Sequence, residues 1–160
     1  MRSYPSLAAF AAITVVLAAC QSPPAAPAGP AALTDQDRTT LAGMFDATVR
    51  NVNAGDWEAW SAQFSDDAII QPPNAPAVQG REGLLAWGHA FPPIDSTLTF
   101  GGVQVWGEGN MAYGVSTYNM TPRGLPHDTG KQLAVFRKNA AGEWKVVAVS
   151  FSSDLPVPKQ

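Results

Sequence analysis

An α+β fold, with helices first and a curled antiparallel sheet after them, is predicted by three features of the sequence. Apolar residues recur at helical spacing between Leu41 and Phe64 and again between Leu84 and Phe91. Strand-like runs, most of them alternating, fill the chain from Ser96 to Asp154. Clusters of Gly, Pro and Asn punctuate the two regimes, and helices followed by strands is the order of an α+β domain.

The chain opens with a segment outside that fold. MRSYPS carries one Arg, and residues 7–19 form a continuous apolar run. A permanent span of about 30 Å of hydrocarbon needs roughly 20 residues, so this run is too short. A basic start, a short apolar centre and small residues at its end describe a secretion signal over 1–19. LAAC, Leu17 to Cys20, resembles the site cut in bacterial lipoproteins, and Cys20 is the only cysteine. That resemblance makes Cys20 the lipidation site and the membrane a partner through its lipid. Gln21 resembles an outer-membrane sorting signal, so the expected location is the cell envelope, lipid-anchored and facing the periplasm. An ordinary signal peptide with a coincidental cysteine is the alternative.

Residues 20–33 are Cys20 followed by QSPPAAPAGPAAL, a Pro/Ala-rich linker that cannot bury a core. At about 3.1 Å per residue it would reach roughly 40 Å. A single domain is left over 34–160. The formal charge is −3, one unit more negative once Arg2 leaves with the signal, and no basic stripe exists to hold nucleic acid.

Thr34, with Asp37 three residues on, starts the first helix with a near capping box. Leu41, Met44, Phe45, Val49 and Val52 give its apolar face, and Asn53-Ala54-Gly55 ends it. Asp56 caps a short second helix with Trp57, Trp60 and Phe64 on one face. AIIQ is a strand, PPNAPAVQG a loop, and REGLLAWGHAF a third helix presenting Leu84, Trp87 and Phe91. STLTFGGVQVWGE and NMAYGVSTYNMTP meet at a hairpin turn, as do KQLAVFRKN and EWKVVAVSFSSD.

The stretches GDWEAWSAQFSDDAIIQPPNAPAVQGREGL, GNMAYGVSTYNMT and AGEWKVVAVSFSSDLP resemble the nuclear transport factor 2-like superfamily, in its SnoaL-like, steroid-isomerase-homologue branch. The resemblance spans 34–155. It implies a cone-shaped fold, three helices on a curved antiparallel sheet, around a conical pocket. It implies no single activity, because the fold hosts isomerases, cyclases, dehydratases and binders. Carried across by motif, the steroid isomerase's three functional positions fall on Thr48, on Pro72 or Gln71, and on Ala134. None is ionisable, which disfavours that mechanism.

Asp66 and Asp67 form the one carboxylate pair beside the strand. Adjacent strand residues face opposite sides, so the two cannot converge on one atom, and local turn bonding is the favoured reading. His89 and His127 are the only histidines and lack metal-ligand spacing. His89 suits the end of the third helix. His127-Asp128, in a Pro/Gly-rich loop, is the remaining general-base candidate. No catalytic residue, metal or cofactor is assigned.

With the superfamily pocket as guide, alternation assigns Tyr113, Val115, Thr117 and Asn119 to the inner face. Gln132, Ala134 and Phe136 line the next strand and Phe151 the last, with Trp57, Trp60, Phe64 and Trp87 above. The ligand-binding set is thus Trp57, Trp87, Tyr113, Thr117, Asn119, Gln132, Phe136 and Phe151. The expected partner is a small, mostly apolar molecule bound by neutral donors and acceptors. An isomerase, dehydratase or hydrolase is the alternative. A module that dimerises through its sheet, with Val103 and Val105 facing out, is the third reading.

Overall fold

A computed structural model describes residues 29–156; the signal segment, Cys20 and the linker up to Ala28 lie outside the described residues. Three helices and six strands follow in the order α1 (Asp35–Ala54), α2 (Trp57–Ser61), β1 (Phe64–Gln71), β2 (Val78–Gln79), α3 (Arg81–Ala90), β3 (Ile94–Glu108), β4 (Met111–Pro122), β5 (Asp128–Lys138) and β6 (Trp144–Ser153). Among the described residues no helix is long and apolar enough to cross a membrane.

The helix boundaries follow their local chemistry. Thr34 Oγ1 accepts from the Asp37 amide at 3.1 Å, and the Asp37 carboxylate accepts from the Thr34 amide at 3.2 Å. These reciprocal bonds satisfy two of the donors a helix start leaves open. Gly55 ends α1 at φ 68°, where a side chain would be strained. Asp56 caps α2 through the Ala59 amide. Asn53, in the last turn of α1, bonds the backbone of Leu98 both ways, accepting at 2.7 Å and donating at 3.0 Å. That side chain acts as a short piece of strand and fixes α1 against β3.

The sheet corrects the expected architecture. Its order is β2-β1-β6-β5-β4-β3, with β1 and β6 parallel and the other pairs antiparallel. It is therefore mixed and open, with β2 and β3 at its edges, and is not a closed or strongly curved antiparallel cone. Alternation within a strand does not encode whether its neighbour runs parallel or antiparallel; the long excursion from β1 through β2, α3, β3, β4 and β5 permits the parallel return of β6. β1 also starts earlier than AIIQ suggests, and β2 forms inside the Pro-rich segment.

Register shifts redirect side chains. From Gly101 to Gln104 on β3 the partners run from Thr117 only to Val115, so β3 holds one extra residue there. Gly102 sits in that step at φ 61°. Phe100 before the bulge and Val105 after it consequently both pack against the core. Val105 thus does not face out, whereas Val103 does. On β6, Val147 is extra between the partners of Phe136 and Val135. Val146 and Val149, at odd spacing, then share one side.

Leu41 and Phe45 from α1, Trp60 and Phe64 around α2, Leu84 from α3, and Phe136, Trp144 and Val146 from the sheet form the buried core. Leu33 joins them, and the Gly109 amide donates to the Ala31 carbonyl at 2.7 Å. The chain preceding α1 is held at the β3–β4 turn.

Candidate ligand-binding cavity

Between the helices and the sheet lies a cavity of about 110 Å³. Trp57 and Trp60 of α2, Phe64 at the start of β1, Trp87 of α3 and Phe91 just after it form one wall, linked ring to ring at 4.8–6.3 Å between centroids. Edge and tilted contacts of this kind each add about 0.5–1.5 kcal/mol beyond area burial, so the wall is rigid. Leu98 and Phe100 of β3, Tyr118 and Met120 of β4, Gln132, Ala134 and Phe136 of β5, and Val149 and Phe151 of β6 form the sheet side. Met44, Thr48 and Val52 complete it from α1.

The expected ligand-binding residues divide by strand. Trp57, Trp87, Gln132, Phe136 and Phe151 line the cavity. Tyr113, Thr117 and Asn119 do not; they are exposed on the opposite face of β4, Tyr113 at 45%. The inward residues of β4 are Ala112, Gly114, Ser116, Tyr118 and Met120. Their smallness has a cause: a Cβ on Gly114 would lie 2.8 Å from Phe45 Cζ, so α1 seats its aromatic ring on a strand stripped of bulk. The run Ala-Gly-Ser at alternate positions carries that signal, and the larger Tyr113 parity conceals it.

Polar groups at the cavity are few. The side chains of Gln132 and Thr48 line it, and among the described residues neither has a hydrogen-bond partner. Tyr118 donates its hydroxyl to Asp128 Oδ2 at 2.9 Å, and Ser153 Oγ donates to Asp128 Oδ1 at 2.6 Å. Burial, then the bond to the Asp128 carboxylate and its charge, holds the Tyr118 phenol well above the ordinary tyrosine value. Phe151 meets the Tyr118 ring edge-on at 6.0 Å. Gly130 lies directly beneath that ring, where a Cβ would be 2.5 Å from Tyr118 Cε1. The phenol is locked in place.

Among the described residues that line the inner cavity there is no carboxylate, imidazole, amine or guanidinium. Thr48 and Ala134, two positions at which the resemblance placed isomerase chemistry, line it with neutral side chains. Pro72 lines a second chamber outside it. That chamber is about 390 Å³ and shares Trp87, Phe91, Met120 and Phe151 with the inner one.

The remaining candidates are engaged locally. Asp66 and Asp67 are both exposed and diverge to different partners: Arg81 at 3.7 Å for Asp66, Arg137 at 3.1 Å for Asp67. A hydrogen bond from Ser65, then the Arg137 guanidinium, holds the Asp67 carboxyl below its ordinary value. His89 closes α3 with Nε2 3.1 Å from Glu58 Oε1. His127 Nδ1 lies 2.9 Å from Thr121 Oγ1, while Asp128 is bonded by Tyr118 and Ser153, so the neighbours turn to different partners. Among the described residues no group of three or more His, Cys, Asp or Glu is placed to hold a metal ion.

With this geometry in hand, comparison with solved structures is informative about fold. A Nostoc punctiforme protein of unknown function with a cystatin-like fold superposes with a TM-score of 0.69 at 19% identity, over 79% of this chain and 97% of its own. A ketosteroid isomerase-like protein from Erwinia carotovora atroseptica gives 0.65 at 20% identity, over 77% and 100%. A nuclear transport factor 2-like protein of unknown function from Pseudomonas putida gives 0.66 at 14%, over 75% and 88%. Comparison with curated proteins gives no match. The SnoaL-like domain profile matches residues 45–147, which run from the middle of α1 through the start of β6 and carry most of the cavity wall. The chain therefore belongs to the SnoaL-like domain family.

Proposed function

We propose that this domain binds a small, mostly apolar, uncharged-bodied ligand in the cavity between helices and sheet. The observation that carries the reading is the pairing of an aromatic and aliphatic wall with two unpartnered polar side chains, Gln132 and Thr48. Gln132, half-buried, can donate and accept, so a ligand carbonyl or hydroxyl can bond it. The inner volume compares with an engineered cavity of about 150 Å³ that takes benzene, so one ring or a short branched chain is the natural occupant. Larger molecules would continue into the outer chamber, and the two together reach the range of about 300–1,000 Å³ common for ligand sites.

Ligand-detected NMR or native mass spectrometry against a panel of small hydrophobic metabolites tests this. Ala134→Leu, which fills the cavity from its floor, is expected to abolish binding with the fold intact. Binding that survives Ala134→Leu, or no binding across the panel, overturns the reading.

The same proposal places the domain on a lipid anchor at Cys20, in the bacterial envelope facing the periplasm. Its support is the sequence LAAC after a short apolar run. Metabolic labelling with palmitate is expected to mark the chain and to fail in Cys20→Ser; an unlabelled native chain would refute it.

A second reading, self-association, draws on the outer face of the sheet. Trp106 (40% exposed) and Tyr113 stack there at 5.3 Å and 22°, with Leu133 exposed nearby on β5. Light scattering of Trp106→Ser against the unmodified protein distinguishes dimer from monomer.

A further inference from the structure

We infer that the outer chamber is a cation subsite, and that the ligand class of this domain is small apolar amines, with the body in the inner cavity and an ammonium at Asp128. This rests on the cavity reading above and adds the chemistry of the ligand's head.

Three observations carry it. Among the residues lining the outer chamber Asp128 alone is ionisable; prolines and other apolar side chains supply nearly all the rest. A carboxylate set among apolar walls favours a positive partner. Among the described residues no basic side chain is ion-paired with Asp128: Lys131 pairs with Asp154, Arg137 with Asp67, and Lys138 with Asp37. The two hydroxyls that do bond it, from Tyr118 and Ser153, occupy one site on each oxygen. A carboxylate offers about four acceptor positions, so about two remain, on an oxygen pair already fixed in orientation.

The two chambers share Trp87, Phe91, Met120 and Phe151 as walls, and Tyr118 places its ring in the inner wall and its hydroxyl on Asp128, which lines the outer chamber. An amine whose apolar part lies against Tyr118 therefore brings its nitrogen toward Asp128. Trp87, Phe91 and Phe151 add aromatic faces, which attract an ammonium through their quadrupoles. A fatty or aromatic acid meets the opposite field: its carboxylate would face that of Asp128.

The test compares three probes with one body and three heads: phenethylamine, phenethyl alcohol and phenylacetate, titrated into the purified protein by calorimetry or ligand-detected NMR. The amine is expected to bind at least about tenfold more tightly than the alcohol, and phenylacetate more weakly than both. In Asp128→Asn, a near-isosteric change, affinity for the amine should fall to that of the alcohol, while the alcohol is unaffected. Should Asp128→Asn fold poorly, the order of the three probes in the unmodified protein decides. Alcohol or acid binding as tightly as the amine, or an amine preference that persists in Asp128→Asn, overturns the assignment. If all three bind equally and Ala134→Leu abolishes them, the cavity reading stands and the amine reading alone falls. If none binds, both fall.

Discussion

The indole Nε1 of Trp144, at the start of β6, donates to Asp37 Oδ1 in the first turn of α1 at 2.8 Å, across 107 residues of sequence. The same oxygen lies 2.7 Å from Lys138 Nζ, and Lys138 in turn sits 5.0 Å from the Trp144 ring centroid. One carboxylate thus serves as helix cap, strand anchor and ion-pair partner. The Lys138 bond, then those from Trp144 and Thr34, hold its carboxyl far below the ordinary 3.8.

A carboxyl depressed in the folded state stabilises above its unfolded pKa, and that contribution is lost as pH falls through the lowered folded value. Asp37→Asn should therefore lower the thermal midpoint at neutral pH and flatten its dependence on acid. The two proteins' midpoints should converge in strong acid. Thermal denaturation followed by circular dichroism across the acid range checks this; equal midpoints at neutral pH would contradict it.

Tyr118 gives the opposite sign. With its phenol held above the ordinary 10.0, the folded state keeps a proton that the unfolded chain releases. Stability from this group is full below pH 10.0 and declines as pH rises toward the folded value. Tyrosinate absorbance should show one phenol resisting titration, and Tyr118→Phe should remove that phase. A Tyr118 that ionises at the ordinary tyrosine value would refute it.

Asn53→Ala leaves both the amide and the carbonyl of Leu98 without their partner. An unmade bond at a partly buried site costs about 1–3 kcal/mol, so urea midpoints should drop accordingly. Because Leu98 lines the cavity, binding should weaken too. A change under about 0.5 kcal/mol would assign Asn53 to the ordinary surface class.

Gly88, buried in α3, lies against Trp57: a Cβ there would come within 2.7 Å of its Cε3. Gly88→Ala gains up to about 1 kcal/mol of helix propensity but overpacks by about 1–3 kcal/mol, so net destabilisation is expected. The displaced indole should also alter the size of ligand accepted. A stabilised variant with unchanged binding would show that Trp57 yields freely.

Asp66→Asn and Asp67→Asn together should leave ligand binding unchanged, because both carboxylates sit on the surface with Arg81 and Arg137. The depressed Asp67 carboxyl predicts a milder response to acid in the variant. Loss of binding in the pair would return them to the site.

The sequence made the helices legible because caps are local: Thr34 with Asp37, Gly55 and Asp56 each act within a few residues. Strand content was equally readable, but its three-dimensional use was not. Period-2 alternation is symmetric, so nothing in NMAYGVSTYNMTP states which parity meets the helices; Phe45, 69 positions before Gly114, decides it. Bulges at Gly102 and Val147 reverse parity within a strand, which an unbroken alternation cannot foresee. Trp57, Trp87, Gln132, Phe136 and Phe151 do reach the cavity wall, because they lie on helices or on strand segments on the expected side of these breaks. Tyr118 and Asp128 were missed as a unit, since their pairing exists only through the β4–β5 register.

The docking of Ala31 at the β3–β4 turn has a bearing on access. β4 runs from that turn to Pro122, twelve residues or roughly 40 Å at about 3.4 Å each, and Pro122 borders the outer chamber. Ala31 thus sits at one end of β4 and the outer chamber at the other. A contact made at Ala31 therefore leaves the lining of the outer chamber uncovered.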